Sequence, residues 1–249
     1  MKVVILAGGF GTRLSEETQS IPKPMVEIGG KPILWHIMKI YSYYGFNDFI
    51  ICLGYKGHII KEYFKNYFLH NSDVTFNMED NSMNIHSNRS EPWKVTLIET
   101  GLKTMTGGRI KRIEQYIQED SFFVTYSDGV GDVDINELLN YHKQKGTIGT
   151  LTGVALRSQF GVLDIEDGLV KAFKEKPIIE DLTINTGFFV FNKEIFNYLK
   201  GDDCILEQEP LEKLTSEDEL AVYKHKGFWA CMDTQKDVDY LSEIGRAHV

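Results

Sequence analysis

The sequence predicts an α/β fold, a Rossmann-like, mostly parallel mixed sheet flanked by helices, with a smaller β-rich portion toward the C-terminal half. Three observations carry the prediction. Lys2-Val3-Val4-Ile5-Leu6-Ala7 is a continuous apolar run, as in a strand buried on both faces, and a glycine-rich loop follows it at once. Strand-like and helix-like periodicities then alternate, which implies βαβ units. A later apolar run, Ser121–Tyr126, ends on Ser127-Asp128-Gly129, placing an acidic residue at the carboxyl end of a strand, where such sheets bind ligands.

Each element has its own signal. Over residues 31–44, Ile33, Leu34, Ile37, Met38, Tyr41 and Tyr44 recur at helical spacing, Pro32 suits the first turn and Gly45 ends the helix. Asp48–Leu53 reads as a strand and residues 57–69 as a second helix. The segment 71–92 is polar and rich in Asn and Ser, and reads as an inserted excursion or hairpin outside the core. After Thr147 the runs shorten to 147–154, 160–165, 169–173 and 185–191, which suggests a mixed sheet covering the first half. Residues 1–242 are expected to form one domain, truncated at its C-terminus. Residues 243–249, Glu-Ile-Gly-Arg-Ala-His-Val, can be encoded by a common sequencing-adapter sequence and are expected to be read-through, outside fold reasoning.

Composition narrows the chemistry. With 42% hydrophobic and 25% charged residues the chain fits a globular protein, and a net charge of −9 argues against a generic nucleic-acid or anionic-membrane binder. An anionic substrate must therefore meet locally concentrated positive charge. Cys52, Cys204 and Cys231 are far apart, lack CxxC spacing and are expected to be buried thiols in a reducing compartment. With no signal peptide and no run of membrane-spanning length, the expected location is the cytoplasm.

The loop Gly8-Gly9-Phe10-Gly11-Thr12-Arg13 lets the backbone approach a ligand closely and aim N–H groups at phosphate oxygens. Alone, it fits a plain turn equally well. A P-loop would end in Gly-Lys-Ser/Thr, and a dinucleotide fingerprint wants glycine or alanine where Leu14 stands. Arg13 supplies a planar cation and Pro22-Lys23-Pro24 fixes a lysine between restricted residues, so the loop and its company suit a triphosphate.

These residues resemble a known signature. Leu6-Ala7-Gly8-Gly9-x-Gly11-Thr12-Arg13-Leu14 with Pro22-Lys23-Pro24-Met25 is similar to the motif of the sugar-1-phosphate nucleotidyltransferases. The likeness extends through Met105-Thr106-Gly107-Gly108-Arg109, Asp128-Gly129, Phe173-x-Glu175-Lys176-Pro177, Glu207-Gln208-Glu209-Pro210-Leu211 and Met232-Asp233-Thr234. It implies the nucleotide-diphospho-sugar transferase fold and, from the 106–109 segment, use of CTP with glucose 1-phosphate to give CDP-glucose, a precursor for bacterial surface polysaccharides such as O-antigen.

By the same resemblance, the nucleotide contacts are Leu6, Ala7, Gly8, Gly9, Phe10, Gly11, Thr12, Arg13, Lys23, Thr104, Arg109 and Ser127, with Arg13 and Lys23 catalytic. Glu175, Lys176, Asn185 and Gly187 face the sugar phosphate, and Asp128 and Asp233 hold Mg2+. Thr186 departs from the pattern, since many relatives carry a second glycine there. The resemblance also implies a homo-oligomer, possibly a hexamer, with 71–92 a candidate contact.

No His or Cys constellation competes in the sequence, and His36, on an apolar helix, reads as a satisfied core residue. Transfer of another nucleotidyl group, or a non-catalytic nucleotide-sugar regulator, stays open. An NAD-dependent dehydrogenase is disfavoured by the missing third glycine.

Overall fold

A computed structural model describes residues 1–14, 18, 20–158 and 160–246, without the side chains of Arg13 and of residues 245–246. In chain order the elements are β1 (Lys2–Ala7), β2 (Glu27–Ile28), β3 (Lys31–Pro32), α1 (Ile33–Tyr43), β4 (Asp48–Leu53), α2 (Gly57–His70), β5 (Ser72–Asn77), β6 (Ser82–Asn88) and β7 (Lys94–Glu99). There follow α3 (Thr106–Arg112), β8 (Ser121–Tyr126), β9 (Gly129–Gly131), α4 (Ile135–Lys145), β10 (Gly149–Arg157), β11 (Val162–Glu166), β12 (Leu169–Lys174), β13 (Ile178–Asn192), α5 (Glu209–Ser216), β14 (Leu220–Lys224), β15 (Trp229–Cys231) and α6 (Gln235–Arg246).

The central sheet is seven-stranded, in the order β14-β10-β13-β8-β1-β4-β7. Only β13 runs against its neighbours; β1 pairs in parallel with both β4 and β8, and β4 with β7. The chain steps from β1 to one side and later returns to the other, so the switch in strand order lies at β1 and β8. Outside their carboxyl ends is the crevice where open α/β sheets bind ligands.

Alternation along β1 explains the layers. Val3, Ile5 and Ala7 join Phe49, Ile51 and Phe123 in a core under α1, α2, α4 and α6, while Val4 and Leu6 join Ile50, Val124 and Phe189 on the opposite face under α3 and α5. Both faces are thus covered, as the continuous apolar reading of β1 requires. His36 lies half-buried on α1 with Nε2 2.8 Å from the Ile28 carbonyl, the satisfied residue expected.

The second half departs from expectation in one respect. Its strands β10, β13 and β14 extend the same sheet rather than covering the first, because β13 pairs antiparallel with β8 from Asn192↔Ser121 to Phe188↔Thr125. The hydrophobic run Phe188–Phe191 is buried on both faces there, so it belongs inside one sheet. Beyond that, the outer part of β10 and β13 leaves the core and carries the antiparallel hairpin β11–β12. The 71–92 excursion is the hairpin β5–β6, outside the core, as read. No helix among the described residues is long and apolar enough to cross a membrane.

Candidate functional site

The glycine loop leaves the end of β1 and turns over the crevice. Leu6 and Ala7 keep their side chains in the two cores, so only their backbone faces the site. Gly8 is buried, Gly9 and Phe10 are exposed, and space over the Gly9 Cα is open to 4 Å. Gly11 adopts φ +64°, a conformation glycine takes without strain, and its carbonyl accepts from Leu14 N at 3.0 Å to close the turn Thr12–Leu14. Phe10 packs on Tyr55 with ring centroids 5.4 Å apart, and Thr12 stands exposed. The side chain of Arg13 lies outside the described residues.

Beneath the loop lies Arg109. Its Nη1 donates to the Leu53 carbonyl (3.0 Å), the Thr100 hydroxyl (2.8 Å) and the Gly101 carbonyl (2.8 Å), and its Nη2 donates to the Gly8 carbonyl (3.0 Å). One guanidinium therefore ties together the carboxyl ends of β1, β4 and β7. The side chain is 5% exposed, and burial pulls its pKa below the ordinary arginine value. An ion taken from water costs several kcal/mol, roughly offset here by charge-assisted bonds of about 1.5–3 kcal/mol each.

Two glycine pairs make that position possible. A Cβ on Gly8 would sit 2.0 Å from Arg109 Nη1, and one on Gly54 would sit 2.7 Å from it. On α3, a Cβ on Gly107 or Gly108 would strike the 201–204 backbone at 2.9 and 2.7 Å. That explains Thr106-Gly107-Gly108-Arg109 in physical terms: the glycines let α3 lie against 201–204, where Met105 N and Gly108 N bond Asp202 and Cys204 carbonyls, and Arg109 then reaches under the loop. The sequence suggested a site of contact with a nucleotide; the structure shows the guanidinium bonded to three backbone carbonyls and the Thr100 hydroxyl beneath the loop. Thr104 is buried beside Gly101, the next carbonyl on the same strap.

At the neighbouring strand end, β8 leads into buried Ser127 and half-buried Asp128. Lys23 sits in the short turn Lys23–Met25, held by Pro22 in extended conformation and by Pro24, with its stem against Gly11. Its Nζ lies 2.7 Å from Asp128 Oδ2 and 2.7 Å from Asp233 Oδ1. Burial works against the ammonium, but the two carboxylates outweigh it and hold its pKa above the ordinary lysine value. Residues 210 positions apart in sequence thus share one charge.

Asp233 arrives there because β15 pairs with β9, Cys231 opposite Gly129, and because Met232 N bonds the Asp128 carbonyl at 2.8 Å. Cys231 comes with it. Asp128, Cys231 and Asp233 each present a ligand atom within 4.8 Å of the others. The thiol bonds Asp233, and burial first, then the two carboxylates, push its pKa up to about 12. Of the three cysteines only Cys52 is buried; Cys204 and Cys231 are half-buried, which corrects the uniform expectation. Sequence reasoning overlooked Cys231, although its spacing of two from Asp233 in extended chain puts both on one side.

The residues expected to face the sugar phosphate lie between β12 and β13 and along β13. Glu175 and Lys176 are exposed, their charged atoms 3.7 Å apart, and Lys176 takes φ +47°, a conformation costly for a non-glycine residue. Asn185 Oδ1 accepts from Gly187 N at 2.9 Å. Gly187 has φ +85°, and a Cβ there would lie 2.3 Å from the Tyr126 ring. Thr186, between them, points away: it is buried and donates to the Thr152 carbonyl at 2.9 Å, leaving the site wall to its neighbours. Tyr126 and Glu207 complete this side through a short hydroxyl–carboxylate bond, while Thr106 donates to the other Glu207 oxygen at 2.6 Å. Burial, then Glu207, raise the Tyr126 pKa. Glu207 was part of a noted motif without an assigned role.

The site therefore joins an amide-lined loop, a fixed lysine and converging carboxylates. Residues 2–238 match the family model described as nucleotidyl transferase. The chain belongs to the nucleotidyl transferase family. Among curated relatives of this family, glucose-1-phosphate cytidylyltransferase from Salmonella typhi is 56% identical over 245 residues, 98% of this chain and 95% of that protein. Mannose-1-phosphate guanyltransferase from Saccharomyces cerevisiae is 31% identical over 97% of this chain and 63% of its own length. Among solved structures, HddC from Yersinia pseudotuberculosis superimposes with a TM-score of 0.72 at 27% identity, over 98% of both chains. These likenesses agree with the fold and family expected from the loop and Lys23.

Proposed function

We propose that the chain transfers CMP from CTP to α-D-glucose 1-phosphate, giving CDP-glucose and pyrophosphate. The observation that carries the reading is the meeting of Lys23, Asp128 and Asp233 at the carboxyl ends of β1 and β8, directly below the glycine loop. Identity of 56% to a glucose-1-phosphate cytidylyltransferase supports the choice of base and sugar.

A phosphate oxygen of the sugar phosphate attacks the α-phosphorus of CTP; the new P–O bond forms as the bond to the bridging β-phosphate oxygen breaks, and pyrophosphate departs with the electron pair. A phosphate monoester with a second pKa of about 6 is largely dianionic at neutral pH, so its oxygen needs no general base. The chain's task is alignment and charge neutralisation. Amides of Gly8, Gly9, Phe10, Gly11 and Thr12 cradle the triphosphate, with Arg13 and Lys23 on its charges. Arg109 and Thr104 set the loop's height by fixing the strand ends, and Ser127 lines the crevice. Glu175 and Asn185 address sugar hydroxyls, Lys176 the acceptor phosphate, and Gly187 gives room beside Tyr126.

Asp128 and Asp233 fit a divalent cation: two hard oxygen donors converge on one point already occupied by a positive charge, the Lys23 ammonium. Mg2+ is the ion read for this centre, and it would supply charge neutralisation on the phosphates when bound. The chain would act in the cytoplasm as a homo-oligomer. The hairpin β5–β6, with Phe76, Met78, Met83 and Ile85 exposed, is the contact segment of that reading, and a hexamer the assembly it suggests.

Pyrophosphate release measured across the four ribonucleotides and dTTP, each with several sugar phosphates, tests the assignment. CTP with glucose 1-phosphate should exceed every other pair; preference for another nucleotide would replace cytidylyl transfer with another member of the same chemistry. Asp128→Asn should lower kcat by about 10²–10³ or more, the range seen when one electrostatic partner of a transition state is removed. Near-normal turnover in the folded variant would remove Asp128 from the mechanism.

A further inference from the structure

We propose that Cys231 turns the Asp128–Asp233 centre into a mixed oxygen and sulfur site that takes a thiophilic divalent cation, zinc or cadmium, in competition with magnesium. The inference rests on the reading of these aspartates as a metal centre and adds to it a third ligand and a different class of ion.

Four observations support it. The Cys231 sulfur and one oxygen from each aspartate lie within 4.8 Å of one another. Tetrahedral ligands on a single zinc ion, at about 2.3 Å for sulfur and about 2.0–2.2 Å for oxygen, stand about 3.3–3.7 Å apart, so closure needs at most about an ångström, which side-chain rotation can supply. The backbone holds the three in register: Cys231 lies opposite Gly129, Met232 N bonds the Asp128 carbonyl at 2.8 Å, and Met232 fills the core, which turns residues 231 and 233 to the opposite side. The point between the carboxylates already accommodates a cation, Lys23 Nζ at 2.7 Å from each. Finally, the thiol is half-buried, shielded yet reachable.

The donor set decides which ion gains. Two carboxylates suit magnesium, which keeps several waters and demands octahedral geometry, whereas a thiolate adds little for magnesium and much for zinc or cadmium. Coordination replaces the S–H bond with a metal–sulfur bond and releases one proton to solvent. Lys23 swings off the carboxylates as the ion enters. A bound zinc ion, four-coordinate and tightly held, would then block magnesium, making the enzyme zinc-sensitive.

The purified chain is titrated with Cd2+ while the ultraviolet thiolate-to-cadmium charge-transfer band is followed, with stoichiometry from calorimetry. One Cd2+ per chain with a band is expected. Cys231→Ser should abolish the band and weaken Cd2+ binding at least about tenfold, since even an outer-shell partner commonly costs that much, while Cys204→Ser keeps the band. In the unaltered protein, Cd2+ should slow iodoacetamide labelling of the Cys231 peptide and leave the Cys204 peptide unchanged, a readout that requires no variant to fold. A band surviving in Cys231→Ser, or equal labelling with and without Cd2+, overturns the proposal. Cd2+ binding without a band also overturns it but leaves the carboxylate centre standing, whereas failure to bind Cd2+ at all removes both.

Discussion

Lys23 and Arg109 are held by the fold itself, whereas Glu175 and Lys176 stand in solvent. The Lys23 side chain is 12% exposed and bonded to two carboxylates; the Lys176 side chain is 54% exposed and faces one carboxylate at 3.7 Å. The first half hangs from the carboxyl ends of buried parallel strands, where burial and backbone hydrogen bonds specify each position. The second hangs from the hairpin β11–β12 and the outer part of β13, where Ile165, Leu169, Phe173 and Leu182 are exposed. In the proposed reading the triphosphate side is therefore prebuilt, and the acceptor side would gain its order from what it binds. Mutations should therefore cost stability on the first side and affinity on the second.

The largest expected effect separates two adjacent glycines of the loop. Gly8→Ala drives a Cβ into Arg109, displacing a buried cation from its acceptors, and should cost about 3–5 kcal/mol in urea unfolding. Gly9→Ala meets nothing within 4 Å and should stay within about 0.5 kcal/mol, while its methyl group obstructs the phosphate and raises the KM for the nucleotide. Equal destabilisation by the two would break the claim that the loop rests on Arg109.

Next in size, Lys176→Ala should raise the KM for the sugar phosphate about tenfold or more, equivalent to at least about 1.4 kcal/mol, with the unfolding midpoint unchanged. Steady-state kinetics with each substrate varied in turn separates this from a nucleotide effect. Loss of stability in this variant would mean that the acceptor side is as prebuilt as the other.

How much of this was legible in the sequence follows the same division. β1, β4 and β8 were placed with the residue bounds observed, because strands buried on both faces are unbroken apolar runs, and Pro22-Lys23-Pro24 announced a fixed lysine. The role of Arg109 was not legible, since its partners are carbonyls at three strand ends and a carbonyl leaves no mark in the side-chain pattern. The joining of β13 to β8 was missed because antiparallel insertion into a parallel sheet depends on chain return, not local composition. Thr186 looked like a change in the sugar wall; alternation along β13 instead turns it to the buried face, toward Thr152. Cys231 had a readable signal, the spacing of two from Asp233, but the ribbon with β9 was needed to bring Asp128 beside it.

The smallest expected effect lies away from the site, at a buried histidine that helps seat β10 and β13 on α4. His142 has Nδ1 2.9 Å from the Thr150 hydroxyl and Nε2 2.9 Å from Asn192 Oδ1. Since the Asn192 oxygen only accepts, Nε2 carries a proton, and in the neutral ring Nδ1 accepts from the Thr150 hydroxyl. Burial lowers the pKa of His142 from its ordinary value, and that of His36 likewise. A depressed folded-state pKa means that the full contribution to stability is present above the unfolded value of about 6.5 and is lost as pH falls toward the folded value, at no more than about 1.4 kcal/mol per pH unit for each group. Urea midpoints measured from pH 7.5 to 5 should therefore decline, and His142→Gln should decline less steeply, keeping only the share of His36 and the carboxylates. Parallel slopes for the two proteins would show that the ring ionises in the folded state as easily as in water, and that the contact of α4 with the strands is looser than the geometry describes.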